Sequence, residues 1–357
     1  MKCCDDKKTC GCEKETSAQS CSCAEKDSCG FEKETPAVTA KLTAKDRLGS
    51  LRARWDNSGR MDYSVEPGLY KMNNPGPDSP VLVSANYKLT FDTLRENLCC
   101  LDCWLLILDT KGINVWCAAG KGTFGTEELV YRIEQTGLAE IVTHKKLMLP
   151  QLGASGVNAN EVTKQTGFSV VYGPVRAADI REFISAGNKA TRKMRTVRFS
   201  FLDRLVLIPI ELTEAVKYVL PVLGVLFILN LFTARKFGLE DFIIYLGANI
   251  AGCVITPLLL PFIPGRAFSF KGWLAGLLWV MFACWLFGWF TPGNWILAAG
   301  YGLMMPAISA FLAMNFTGAS TFTSPSGVLK EMKIALPFII GSLVIGSVFL
   351  LIKTFAG

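Results

Sequence analysis

One thiol, Cys117, lies in the run Gly112-Ile-Asn-Val-Trp-Cys-Ala-Ala-Gly-Lys-Gly-Thr-Phe-Gly-Thr126, a setting that suits a soft ligand or a nucleophile. The run reads as a short helix cut off by glycines. Asn114 is a good N-cap, because its side-chain oxygen can accept from the free N–H groups of the first turn. Cys117 then sits at the positive end of the helix dipole, where a thiolate is favoured over a thiol. Lys121, four residues on, shares that helix face and adds positive charge. Gly120 and Gly122 let a backbone or a flat ligand come close and can end the helix. The pattern predicts an exposed, activated sulfur.

The other candidate groups fit less well. The same run superficially resembles a phosphate-binding loop, but G-x-x-x-x-G-K-[ST] fails at Val115 and at Gly122, which follows Lys121. Of thirteen cysteines, seven (Cys3, Cys4, Cys10, Cys12, Cys21, Cys23 and Cys29) crowd the first 29 residues. No apolar run follows Met1, so no secretory signal is expected, and reduced thiols are expected rather than disulfides. Their spacing does not fit C-x2-C-x2-C-x3-C, so the chain is expected to carry no iron–sulfur cluster of its own. Cys99, Cys100 and Cys103 run straight into a strand and read as buried structural thiols, with a metal site as the alternative. The single histidine, His144, excludes any multi-histidine zinc site.

These residues need elements to hold them. Residues 1–40 are too poor in large apolar side chains to fold alone and read as a disordered, cysteine-rich tail. Residues 41–190 alternate strands and helices. Pro80–Ser84 and Trp104–Leu108 are buried-strand runs, Ile141–Thr143 and Ser169–Tyr172 later strands. Helices are predicted over Thr90–Leu98, over Glu127–Gln135 with Thr126 as N-cap, and over Ala177–Ala186. This is an α/β, Rossmann-like domain with a mainly parallel sheet, and the Cys117 segment falls at the carboxyl ends of its strands, where such folds bind ligands. A basic linker, 191–212, leads into residues 213–357, an all-α transmembrane domain of five helices: Ala215–Phe232, Phe242–Ile263, Trp273–Phe290, Trp295–Phe316 and Ile334–Ile352. From Gly272 to Leu329 there is no Asp, Glu, Lys or Arg. The net charge of +7 is concentrated at Lys189, Arg192, Lys193, Arg195, Arg198 and Arg204. That position makes it a cytoplasmic membrane flank, with no nucleic-acid partner expected. Arg266, Lys271, Lys330 and Lys333 fall on the same side, and Arg235, Lys236 and Lys353 on the other. The expected product is a multi-pass inner-membrane protein with its α/β domain in the cytoplasm and its C-terminus outside.

Asn114-Val-Trp-Cys-Ala-Ala-Gly-Lys121 resembles the cap-helix signature of the mercury-methylating corrinoid proteins, a family related to the large subunit of the corrinoid iron–sulfur protein of acetyl-CoA metabolism. Leu149–Val157 and Gly167–Arg176 resemble both families, whereas the cysteine within the cap helix resembles only the mercury methylators. The resemblance implies a cobalamin-type corrinoid with Cys117 as lower axial ligand of its cobalt and as the catalytic residue. It also implies a cap over the corrin formed by Asn114, Val115, Trp116, Ala118, Ala119, Gly120 and Lys121. Thr123, Thr126, Gln151 and Gly153 are expected to line the site. A thiolate donor enriches a methyl group on the opposite face of cobalt, easing its transfer to a soft electrophile such as Hg(II). The implied partners are a small [4Fe-4S] dicluster ferredoxin as reductant and a methyl-tetrahydrofolate-dependent methyl donor protein. His144, in Val142-Thr-His-Lys-Lys146, lacks the D-x-H-x-x-G context of histidine-ligated cobalamin enzymes and reads as structural. The expected function is a corrinoid-dependent methyltransferase that forms methylmercury. One rival is a methyl-carrier corrinoid protein of acetyl-CoA and one-carbon metabolism, and another a membrane metal-handling or transport protein. The tail cysteines suit soft-metal capture or an inert extension, and the membrane helices suit anchoring better than transport.

Overall fold

The two longest buried-strand runs lie at the centre of a six-stranded sheet. The computed structural model describes residues 35–356 apart from 57–58, 61, 233–235, 319 and 321–323. The predicted disorder of the tail therefore falls, for 1–34, outside the described residues. Its last part does not: β1 (Ala37–Val38) pairs in parallel with β2 (Gly68–Met72), so the sheet begins inside the segment expected to lack structure. The strand order is β1-β2-β4-β3-β5-β6, with β3 Val81–Ala85, β4 Cys103–Leu108, β5 Lys146–Leu149 and β6 Ser169–Tyr172. β3, β4, β5 and β6 run parallel, whereas β2 lies antiparallel to β4. The predicted strand at Ile141–Thr143 is replaced by a helical turn (α5, Leu138–Ile141), and the strand forms later, where Leu147 and Leu149 reach the core.

β4 is buried along its whole length, as expected of a central strand covered on both faces. Trp104, Leu106 and Leu108 enter one core with Val81, Val83 and Ala85, while Cys103, Leu105 and Ile107 enter the other with Leu82. The first core is closed by α3 (Val115–Lys121), α4 (Thr126–Gln135) and α6 (Ala159–Thr166), the second by α2 (Lys88–Asn97) and α7 (Ile180–Ser185). The predicted helix over 177–186 is divided, a 3-10 turn at Ala177–Asp179 preceding α7. His144 is structural: its Nε2–H donates to the Ser79 carbonyl at 2.8 Å, and its Nδ1 accepts from the Lys146 N–H.

An ion network fastens α1 (Ala44–Trp55) to α2. Asp46 Oδ2 accepts from Arg95 at 2.7 Å and Oδ1 from Lys88 at 2.7 Å, while Asp92 accepts from both cations. Burial works against ionisation of Asp46, but hydrogen bonds from Lys88, Thr43 and Arg95 outweigh it and hold the carboxyl well below the usual carboxylate range.

Among the described residues, five helices are long and apolar enough to cross a membrane: Phe201–Phe232, Leu239–Leu258, Phe268–Leu286, Trp295–Gly318 and Ser326–Phe355. The first starts earlier than the sequence boundary because helical turns at Phe201–Leu205 and Ile208–Val216 run into it. The second contains a π-turn at Ala251–Ile255 just before Pro257, which cannot donate to the ladder. Its carbonyl end is capped by cations: Arg204 Nη2 donates to Leu258 O at 3.1 Å, and Lys271 Nζ to Leu260 O. Lys271 is thus buried against carbonyls and is no open flank. The third and fourth helices pack closely, since a Cβ on Gly272 would lie 2.5 Å from the Ser309 carbonyl, and the Ser309 hydroxyl donates to Gly272 O.

We expect Asp46→Asn to cost about 3 kcal/mol, since removing one partner of a largely buried ion network leaves the others uncompensated. The Asp46 contribution is complete above about pH 4 and is lost as pH falls towards the lower folded value. The protection factors of the β4 amides, corrected for the intrinsic exchange rate at each pH, should therefore fall in acid in the wild type, and the substitution should flatten that dependence.

Candidate functional site

The site is built at the carboxyl edge of β3 and β4. The chain leaving β3 turns into α2 on one face of the sheet, and the chain leaving β4 turns into α3 on the other. Two such departures open a crevice at the strand ends. Asn86, directly after β3, grips the loop after β4: its Oδ1 accepts from Thr110 N (3.0 Å), Thr110 Oγ1 (2.8 Å) and Gly112 N (3.1 Å). The Asn86 amide in turn donates to Asp109. This grip holds Lys111 and Gly112 at φ of 58° and 69°, a left-handed pair that reverses the chain into α3.

Asn114 caps α3 as predicted, its Oδ1 accepting from Cys117 N at 2.9 Å. Gly122 ends the helix at φ 82°. The helix has two faces. Val115, Ala118 and Ala119, expected in a cap over a ligand, have their side chains buried in the core, where they fix the helix to the sheet. Trp116 and Cys117 are half-buried and Gly120 and Lys121 exposed, which leaves these four as the outward surface. Cys117 is a free thiol. Nothing stands within 4 Å of where a Cβ on Gly120 or Gly122 would project, so this surface is open to a flat ligand.

The loop after β5 supports α3 from below. Phe124, wholly buried, lies under Gly153 and Gly156: a Cβ on Gly153 would come within 2.5 Å of its ring, and one on Gly156 within 2.1 Å of its carbonyl oxygen. Gln151 opens that loop, and its Oε1 accepts from Arg195 of the basic linker at 2.7 Å. Thr123 donates to Ala118 O at 3.5 Å. Thr126 is the first residue of α4 and not its N-cap, a place taken by Gly125, and its hydroxyl accepts from Asn158 N. The structure thus brings Asn114, Trp116, Cys117, Gly120, Lys121, Gln151 and Gly153 to one region, with Thr123 and Thr126 as bracing beneath it.

Sequence reasoning missed Asn86 and Tyr87. The only signal for them is their position just after a buried strand. The Tyr87 hydroxyl is buried and has no hydrogen-bond partner among the described residues, and the Arg60 guanidinium lies 6.0 Å from its ring. Burial pushes its phenol up, and the neighbouring Arg60 charge opposes this.

Residues 50–184 match the sequence model of the CO dehydrogenase/acetyl-CoA synthase delta subunit family. The chain is similar to the acetyl-CoA decarbonylase/synthase complex gamma subunit of Methanocaldococcus jannaschii, with 35% identity over 130 residues, covering 35% of this chain and 26% of that protein. The Archaeoglobus fulgidus gamma subunit is 35% identical over 127 residues (35% and 27% coverage), and gamma subunit 2 of Methanosarcina mazei 33% over 120 (32% and 25%). The chain spans about a quarter of the length of the curated relatives it matches. The likeness covers the α/β domain and stops before the apolar helices.

We expect Gly156→Ala to destabilise the domain by about 1–3 kcal/mol through overpacking and to raise the alkylation rate of Cys117 as α3 lifts. Gly120→Ala, which meets open space, should leave both unchanged. Thermal unfolding and maleimide labelling of the intact chain check this.

Proposed function

We propose that this chain is a membrane-anchored corrinoid methyl-transfer protein whose acceptor is Hg(II). The observation that carries the reading is the half-buried free thiol of Cys117 on the outward face of an N-capped helix at the carboxyl edge of the sheet. When bound, a corrinoid supplies a cobalt centre that accepts and releases a methyl group. Cys117 offers that centre a thiolate donor. Trp116, Gly120 and Lys121 offer a flat, partly cationic surface beside it, and Asn114 fixes the helix end that presents the sulfur. Gln151, held by Arg195, bounds the same surface. A thiolate at Cys117 would be a soft donor to that centre, a character that suits a soft, thiophilic acceptor. The reading entails a low-potential reductant, for which a small dicluster ferredoxin fits, and a methyl-tetrahydrofolate-dependent donor protein.

A second reading has an observation of its own. The matched relatives are named as subunits of acetyl-CoA decarbonylase/synthase complexes, and this likeness favours a methyl carrier serving such a complex. It supports corrinoid methyl transfer in general more directly than it supports mercury as acceptor. What speaks for Hg(II) is Cys117 and the five apolar helices. The two readings diverge in the acceptor assay: methyl loss from the loaded protein to Hg(II) alone supports the first, and loss only to an acetyl-CoA-forming complex supports the second.

Cys117→Ala should fold, bind corrinoid more weakly and lose nearly all methyl transfer to Hg(II). The visible spectrum of the reconstituted protein should shift towards a water-ligated form. Full activity with an unchanged spectrum would remove Cys117 from the metal.

The membrane reading is tested separately. The basic residues at 189–204 are expected inside and the C-terminus outside. Reporter fusions in the loop around Gly265 and after Gly357 should report opposite sides, and matching signals would mean a different number of crossings.

A further inference from the structure

The sequence pattern predicts buried thiols at 99, 100 and 103, and the structure overturns this for two of them. Cys103 is buried in the core, and burial pushes its thiol up to about 12. Cys99 and Cys100 are exposed, and their sulfurs lie 3.5 Å apart. The turn that carries them is fixed. Leu98 is wholly buried, Asn73 Nδ2 donates to the carbonyls of Leu98 (3.4 Å) and Leu101 (2.8 Å), and the Asp102 carboxylate accepts from Asn74 N. The backbone is thus held while both thiols are presented to solvent. Packing does not account for them, because free cysteine is ordinarily among the most buried residues. They precede β4 and Cys117 follows it, so the strand, roughly 20 Å long at 3.3 Å per residue, separates the pair from the site described above.

We propose that Cys99 and Cys100 form a two-thiolate chelate for a thiophilic divalent cation, a binding site separate from Cys117. With metal–sulfur bonds of about 2.3 Å, sulfurs 3.5 Å apart subtend about 100° at the metal. That bite suits tetrahedral coordination and not a linear pair. No group of three or more His, Cys, Asp or Glu that could hold a metal ion occurs among the described residues, so the remaining positions fall to water or small thiols, and the ion stays exchangeable. Binding releases two protons as two metal–sulfur bonds form, with no change of oxidation state. Soft sulfur ligands select d10 ions over Mg or Ca. The chain then holds thiophilic ions at the edge of the sheet remote from Cys117.

The test uses the full chain with the seven cysteines of residues 1–29 and Cys117 replaced by serine, titrated with Cd(II) and read by ultraviolet sulfur-to-cadmium charge transfer. One Cd(II) per chain is expected, with at least tenfold weaker binding and loss of the band in Cys99→Ser and, equally, in Cys100→Ser. Protection of Cys103 from alkylation verifies the fold of each variant. Binding that survives either single substitution, or no charge-transfer band in the parent, overturns the chelate. Because Cys117 is absent from every sample, the outcome is independent of the corrinoid reading.

Discussion

Everything at the candidate site depends on the grip of one buried carboxamide. Asn86, 5% exposed, takes three donors from the loop after β4 on a single oxygen. A carbonyl oxygen has two lone pairs, so this acceptor is fully committed to the loop. Without it, the buried N–H groups of Thr110 and Gly112 would be left unpaired, at a cost of about 1–3 kcal/mol apiece, while the Thr110 hydroxyl would keep the Ile113 carbonyl as acceptor. The left-handed turn at Lys111 and Gly112 is unfavourable for a lysine and persists because these bonds fix it. Asn114 can cap α3 only because the chain arrives from that turn, and Cys117 faces outward because Val115, Ala118 and Ala119 then lock the opposite face into the sheet.

The same economy governs the crevice itself. β3 and β4 are adjacent and parallel, yet the helices that follow them pack on opposite faces. The chains leaving their paired carboxyl ends therefore part to opposite faces. Small residues keep the crevice shallow. Gly153 and Gly156 admit the Phe124 side chain and carbonyl where a Cβ would collide, and this lets the loop after β5 rise to the level of α3. A bulkier loop would push Gln151 away from the surface that presents the thiol.

Much of this was legible because it is local. The N-cap, the glycine stop and the shared face of Cys117 and Lys121 follow from spacings within a single helical turn. The apolar helices are legible for a similar reason, since length and composition alone identify them. What escaped was non-local. Gly68–Met72 shows partners only across the sheet, where it runs antiparallel to β4, and no pattern inside it announces that pairing. Thr126 carries the right chemistry for an N-cap, but Gly125 takes the cap and frees its hydroxyl for Asn158, a partner 32 residues away. Cys99 and Cys100 read as buried thiols running into a strand, whereas the turn held by Leu98, Asn73 and Asp102 leaves them exposed.

In the basic linker, individual cations have fixed duties that a charge pattern alone does not reveal. Arg195 holds Gln151 at the site, while Arg204 donates to Phe199 O and Leu258 O and so caps the helix bearing the π-turn. Arg176 reaches Asp203 at 3.2 Å, an exposed pair that adds little stability by itself. Phe199 and Leu207 complete the attachment by packing against Leu260, Phe268 and Phe316. The linker is consequently fastened at both ends, to the loop beside Cys117 and to the ends of the apolar helices.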